Sequence, residues 1–220
     1  ITSTVSVNAT AGFSIVTYTG TGSAATVGHG LGVAPKMVIV KERSQIRGWP
    51  VYHTSLTSAT YYLDLQTTAA QTSASVIWNS TAPTSTVFSI GTDVATNQSS
   101  QTYVAYCFAA VAGYSAFGSY TGNGSTDGPF VYLGFRPRYI MIKRTDTTSN
   151  WRVIDTSRST YNSAGLDLYP NLSNAEGNVA FDILSNGFKP RVTDPDYNAS
   201  GGTYIYATFA ENPFKISLAR

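Results

Sequence analysis

Apolar and polar residues alternate with a period of two through most of this chain, in runs of four to eight residues bounded by Gly, Pro, Ser, Thr and Asn. That rhythm predicts short β-strands rather than helices. Strands are expected at Phe13-Ser14-Ile15-Val16-Thr17-Tyr18, at Lys36 to Lys41, at Trp49 to His53, at Tyr61 to Leu65, at Ser75-Val76-Ile77-Trp78, at Val87 to Ile90 and at Tyr103 to Phe108. A second set is expected around Tyr132, at Tyr139 to Lys143, Trp151 to Ile154, Asp167 to Tyr169, Phe181 to Leu184 and Tyr204 to Phe209. Helical periodicity is nearly absent, and Asn171 to Glu176 is the one stretch read as a possible helical turn.

The two sets of strands resemble each other. Tyr18-Thr19-Gly20-Thr21-Gly22-Ser23 returns as Tyr120-Thr121-Gly122-Asn123-Gly124-Ser125, an offset of 102 residues. Leu31-Gly32-Val33-Ala34-Pro35 returns as Leu133-Gly134-Phe135-Arg136-Pro137, and Met37 to Lys41 as Tyr139 to Lys143. Trp49 returns as Trp151, Leu63-Asp64-Leu65 as Leu166-Asp167-Leu168, and Thr102-Tyr103-Val104 as Thr203-Tyr204-Ile205. A shared offset of this length reads as one structural unit used twice. The expected fold is all-β: two tandem homologous β-sandwich, jelly-roll-like lobes at 12–112 and 113–220, after an extended N-terminal segment or linker at 1–11. What recurs is turn glycines, a proline and alternating apolar residues, whereas a nucleophile, base or ligand cluster does not.

Composition narrows the class. Of 220 residues only 12% are charged, against 42% hydrophobic, and 54 are Ser or Thr. Hydroxyls solvate a surface without charging it, which suits an extracellular or adhesive β protein better than a metabolic enzyme. Residues 1–110 carry four Lys/Arg and three Asp/Glu, and residues 111–220 carry ten and nine. Neither half presents one sign, so nucleic acid is not an expected partner. No apolar run reaches the roughly 20 residues that cross a bilayer, so membrane insertion is not expected. Cys107 stands alone in an apolar run and reads as a small buried hydrophobe, with no disulfide or Cys-based metal site. Without disulfides, stability is expected to draw on homo-oligomerisation, with a trimer favoured. Ile1 in place of Met, ahead of an extended Thr2 to Val7, suggests a piece of a longer chain.

Candidate chemistry is sparse. Gly20-Thr21-Gly22 lacks the Lys-Ser/Thr of a phosphate loop, and no Gly-x-Ser-x-Gly elbow serves His29 or His53. His29, between glycines, reads as a solvated or hydrogen-bonded loop residue. Asp194-Pro195-Asp196-Tyr197-Asn198 reads as a plain turn before a Ca²⁺ loop, and Asp64 and Asp167 as solvent-facing strand residues. Asn8, Asn79, Asn97, Asn123, Asn171 and Asn198 begin Asn-x-Ser/Thr sequons. No catalytic, metal or cofactor residues are assigned, and no enzyme activity is expected. Trp49 and Trp151 read first as structural aromatics. Their functional alternative is a platform for a sugar ring, extended by Tyr52, His53, Tyr61, Tyr62, Arg152, Tyr161 and Tyr169, since a sugar's C–H face stacks on an aromatic ring.

The phrases Val27 to Lys41, Tyr103-Val104-Ala105-Tyr106-Cys107-Phe108-Ala109 and Phe117 to Ser125 resemble a β-rich domain found in tail-fibre and other structural proteins of marine bacteriophages. The resemblance spans most of residues 12–215 and implies a virion location with other virion proteins as partners. The expected function is a distal fibre or spike adhesin that binds a host-surface glycan or receptor. The alternatives are a purely structural virion protein, such as a head decoration or fibre shaft, and a polysaccharide-degrading tail enzyme.

Overall fold

The structure, a computed structural model, describes residues 1–212. The chain divides into two compact units, Ile1–Ala110 and a second from Val111 onward. The first contains β1 (Ser3–Asn8), β2 (Phe13–Thr19), β3 (Ala25–Gly28), β4 (Met37–Glu42), β5 (Pro50–His53), β6 (Tyr61–Asp64), β7 (Thr72–Ser73), α1 (Ser75–Trp78), β8 (Val87–Ile90), α2 (Val94–Asn97) and β9 (Thr102–Phe108). Seven strands form an antiparallel sheet in the order β1-β2-β9-β4-β5-β6-β7, and β3 and β8 pair separately. Residues 1–11 include β1, which runs along β2 from Ser3 opposite Tyr18 to Asn8 opposite Phe13. The alternation predicted for β2 and β9 is present: Val16 and Tyr18, with Tyr103, Ala105 and Cys107, turn inward. They pack with Val27, Phe88 and Ile90 of the β3–β8 pair into one core. Cys107 is fully buried there, and burial pushes its thiol up to about 12.

The second unit contains β10 (Ser115–Thr121), β11 (Val131–Tyr132), β12 (Pro137–Arg144), β13 (Trp151–Asp155), β14 (Ala164–Leu168), β15 (Gly177–Leu184), β16 (Gly187–Pro190), α3 (Pro195–Asn198) and β17 (Thr203–Ala210). Its eight strands form one antiparallel sheet, β10-β17-β12-β13-β14-β15-β16-β11. Every strand sends a side chain into the same core, from Tyr120 on β10 through Ile140, Ile154, Ala164, Phe181 and Phe188 to Val131 on β11. A sheet can meet one core along its whole width only by wrapping around it, as right-handed twist allows.

Among the described residues the chain is all-β apart from three one-turn helices, and here the sequence reading needs correction. Ser75 to Trp78 is α1, not a strand: the backbone makes one helical turn between Ala74 and Asn79 and carries Ile77 and Trp78 into the core. Gly91 permits this docking: a Cβ there would lie 2.1 Å from the Val76 carbonyl oxygen. Asn171 to Glu176 forms no helix. Asp194 to Asn198, read as a plain turn, is α3 with its cap: the Asp194 carboxylate accepts from the Asp196 N–H at 2.8 Å and Pro195 sits in the first turn.

One arrangement fixes the turn glycines in each unit. In the first, the rings of Tyr18 and Tyr103 stack at 5.1 Å. Tyr18 Oη donates to the Thr96 carbonyl and Tyr103 Oη to the Val94 carbonyl, both at 2.7 Å. Asn97, fully buried on α2, donates to the Ser23 and Gly91 carbonyls at 2.6 and 2.7 Å and accepts from the Thr21 N–H at 2.8 Å. In the second unit Tyr120 and Tyr204 stack at 4.9 Å and donate to the carbonyls of Tyr197 and Pro195. Asn198, also fully buried, donates to the Ser125 and Val192 carbonyls and accepts from the Asn123 N–H. Gly20 and Gly122 let the turn close on its helix: a Cβ at either would come 2.3 Å from a backbone oxygen, of Gln98 or Ala199. Gly22 and Gly124 supply positive φ, 76° and 67°. The sequons at Asn97 and Asn198 therefore mark buried structural amides.

Asn198→Ala leaves two carbonyls and one N–H unpaired in the core, and a loss of about 2–4 kcal/mol in urea unfolding is expected. Asn97→Asp should do at least as much damage in its own unit, because a carboxylate there faces the Ser23 and Gly91 carbonyls. Unchanged unfolding midpoints for both variants would remove the amide from this role.

Candidate functional site

The densest chemistry lies in the second unit, around a side chain that begins on β13. Arg152 is 7% exposed. Its Nη1 donates to Asp167 Oδ2 at 2.7 Å, while Nε and Nη2 lie 2.9 and 2.7 Å from Asp196 Oδ2. Asp194 is more distant, at 3.9 Å. The guanidinium lies 3.8 Å above the centre of the Tyr169 ring. Tyr197 of α3 donates its phenol hydrogen to the same Asp167 oxygen. Ser149 Oγ and the Asn150 N–H donate to Asp196 Oδ1 at 2.6 and 3.1 Å. Asn150 in turn accepts from Asn171, whose own oxygen takes the Trp151 N–H at 3.0 Å.

One guanidinium serves both carboxylates. Burial alone pushes the Asp196 carboxyl up, but the donors from Ser149, Asn150 and Arg152 outweigh it and hold it below its ordinary value. Burial opposes the Arg152 charge, yet Tyr197 and Asp196 raise its pKa further. The Tyr197 phenol is pushed up by burial and by Asp167, so it stays protonated and donating. Asp167 Oδ1 is buried without a hydrogen-bond partner. Such a cluster ties α3 to β13 and β14 and leaves its acids and base engaged with each other. The fold can be built without it. In the first unit, Pro50, Ala95 and Thr96 stand at the positions matching Arg152, Asp196 and Tyr197. The matching acid, Asp64, is half-buried, and burial raises its pKa.

The nine residues read from sequence as a platform are scattered in their environments. Arg152 and Tyr169 meet, face to face. Trp49 is half-buried just before β5; its N–H donates to Gln66 Oε1 at 2.7 Å, and Lys41 Nζ lies 5.9 Å from its ring centre. Tyr61 and Tyr62 are half-buried on β6. Trp151 is 1% exposed, His53 1% and Tyr52 6%, with Tyr52 edge-on to Trp78. Buried rings offer no face to a sugar, so these three leave the platform. Tyr161, at 85%, is the most open. Asp167 is not solvent-facing but buried, because Arg152, one strand over, draws it inward.

His29 is not a solvated loop residue. It is fully buried, accepts the Leu31 N–H on Nδ1 at 3.2 Å, and therefore carries its proton on Nε2, facing the Thr84 carbonyl at 3.2 Å. Lys143 is buried too. Its Nζ donates to the Arg144 carbonyl at 2.7 Å, and burial lowers its pKa to about 8. Among the described residues no group of three or more His, Cys, Asp or Glu is arranged to hold a metal ion. The members of the Arg152 cluster that sequence reasoning missed are Asp167, Asp196 and Tyr197. The available signal was the Asp194-Pro195 helix start, which would have turned Tyr197 and Asn198 inward together.

Two outcomes follow. Arg152→Ala leaves buried Asp167 and half-buried Asp196 without their cation, and a loss of about 3 kcal/mol is expected in urea unfolding. Combining it with Asp167→Leu and Asp196→Ala should recover part of that loss, and no recovery would contradict a self-contained ion cluster. At His29, burial lowers the folded pKa below the ordinary 6.5 despite the bond to Thr84. The unfolded chain then binds the proton first as pH falls, so this contribution to stability is complete above 6.5 and is lost below it. His29→Gln should flatten the pH dependence of the unfolding midpoint between pH 7 and pH 5, measured against the parent chain.

No curated protein and no solved structure matches the chain significantly. A family model, described as a domain of unknown function (DUF7483), matches residues 1–213. That match takes in both compact units, and the chain belongs to the DUF7483 family.

Proposed function

We propose that this chain is a contact module: a virion-surface adhesin, carried on a distal tail fibre or spike, that binds a host-surface glycan or receptor without cleaving it. The observation that carries this reading is the contrast between its interior and its surface. Arg152 and Asp167 are buried and, with half-buried Asp196, engaged with one another, whereas the surface is rich in hydroxyls and carries open aromatics such as Tyr161 and Tyr132, 85% and 67% exposed. Stacking and hydrogen bonding suit recognition of a neutral hydroxylated ligand; general acid–base chemistry needs an acid or base that substrate can reach. The resemblance to phage fibre domains points the same way.

Two finer features belong to this reading. The units derive from a duplication of about 102 residues and form jelly-roll-like sandwich lobes; the paired tyrosines, buried asparagines and close-packed glycines at matching positions support it. The module is a homotrimer, so that weak single contacts add up on one particle.

Labelled chain should adsorb saturably to some members of a panel of marine bacterial cells. Periodate oxidation of the cell surface should abolish adsorption, and no reducing ends should be released. Light scattering should give three times the 23.5 kDa of one chain. Adsorption to no member of the panel, or release of sugar, would overturn the adhesin reading.

A further inference from the structure

We propose that Phe130 and Tyr132, assisted by Tyr161, form the sugar-binding platform of this chain, stacking on the C–H face of a neutral pyranose. The proposal rests on the adhesin reading above and gives it a place.

Phe130 is 48% exposed and Tyr132 67%, and their rings lie 6.5 Å apart at 65°. Between them Val131 points into the core and is 6% exposed. Comparison with the first unit shows what the fold itself requires here. The matching residues are Gly28, His29 and Gly30, and again the central one is buried, at 0%. The inward residue is therefore a packing requirement in both units, while the flanking rings are an addition that glycine can replace. Two large rings in water are unfavourable unless something covers them.

Both rings lie against a glycine. A Cβ at Gly187 would lie 2.9 Å from the edge of the Phe130 ring, and one at Gly134 3.5 Å from the Tyr132 hydroxyl. The loop that carries them is pinned to the β15–β16 hairpin: the Leu133 and Gly134 N–H groups donate to the Asn186 carbonyl at 2.8 and 3.2 Å. The loop of Tyr161 is pinned to the same hairpin. Asn162 donates to the Ile183 carbonyl and accepts the Ile183 N–H, both at 2.9 Å. Arg136, which also donates to the Ile183 carbonyl, is neutralised by Glu211 at 2.7 Å. The three open aromatics thus flank one hairpin whose cations are paired: Arg136 with Glu211, and Lys189 and Arg191 with Asp127. Uncharged rings beside amide and hydroxyl groups fit a neutral sugar, which offers C–H on one face and hydroxyls at its rim, better than an anionic ligand.

The experiment is titration of the full chain with methyl glycosides of glucose, galactose, mannose and N-acetylglucosamine, read by aromatic ¹³C chemical shifts. At least one glycoside should shift the Phe130 and Tyr132 ring signals saturably. Phe130→Gly and Tyr132→Gly, which restore the residues of the first unit, should each weaken that binding about tenfold or more while leaving the melting temperature in place. The mapping on unsubstituted chain does not depend on the variants' folding. Shifts confined to other residues, full affinity in the variants, or no response to any glycoside overturn the platform. Cell adsorption unaffected by Tyr132→Gly also overturns it, yet leaves the adhesin reading intact. A saturable shift at these rings without adsorption to any cell sinks the adhesin reading and keeps the site.

Discussion

The constraint on which both units depend is the disposal of buried backbone carbonyls where a glycine turn meets a one-turn helix. A carbonyl removed from water without a donor is costly. Here one asparagine amide and two tyrosine hydroxyls supply the donors in each unit. The tyrosines stack so that their hydroxyls reach the helix backbone, and their rings become the floor of the core. Glycine at 20 and 122 follows, because nothing larger fits between turn and helix. The repeated phrases of the sequence are largely the parts of this one device.

Around that shared frame the units diverge. The first separates its β3–β8 pair from the main sheet, with α1 in the intervening stretch. In the second, β15 has eight residues where β7 has two, and all eight strands join one sheet. This unit also buries an arginine between two aspartates where the first has proline and alanine. A buried ion cluster is no sure gain in stability over apolar packing; its evident effect is to fix the angle at which α3 meets β13 and β14. The two features peculiar to the second unit, the ion cluster and the open rings at 130 and 132, differ in kind: one is turned inward and ion-paired, the other faces water.

Much of the strand pattern was legible because it depends on local alternation, as in β2, β4 and β9. The helices were not. Ser-Val-Ile-Trp has strand-forming residues, and only the core it enters makes it α1. Asp194-Pro195 did announce a helix start, but the segment was read as a plain turn. The platform drawn around Trp49 and Trp151 rested on their matched positions, and a matched position is evidence of a packing role. Trp151, Tyr52 and His53 prove to be buried. Residues that differ between matched positions, such as Phe130 and Tyr132 against Gly28 and Gly30, mark instead where the two units diverge. Arg152 was picked out, but its partners lie 15 and 44 residues away, a separation that no local pattern encodes.

The buried amides of Asn97 and Asn198 have a practical consequence for producing this protein. Both open an Asn-x-Ser sequence. In a eukaryotic secretory pathway, oligosaccharyltransferase meets the nascent polypeptide before it folds. A branched saccharide attached at either nitrogen would occupy the space reserved for two carbonyl oxygens, and the turn could not seat. Production in a cytoplasm, where the unfolded chain meets no such transferase, leaves both amides free to seat.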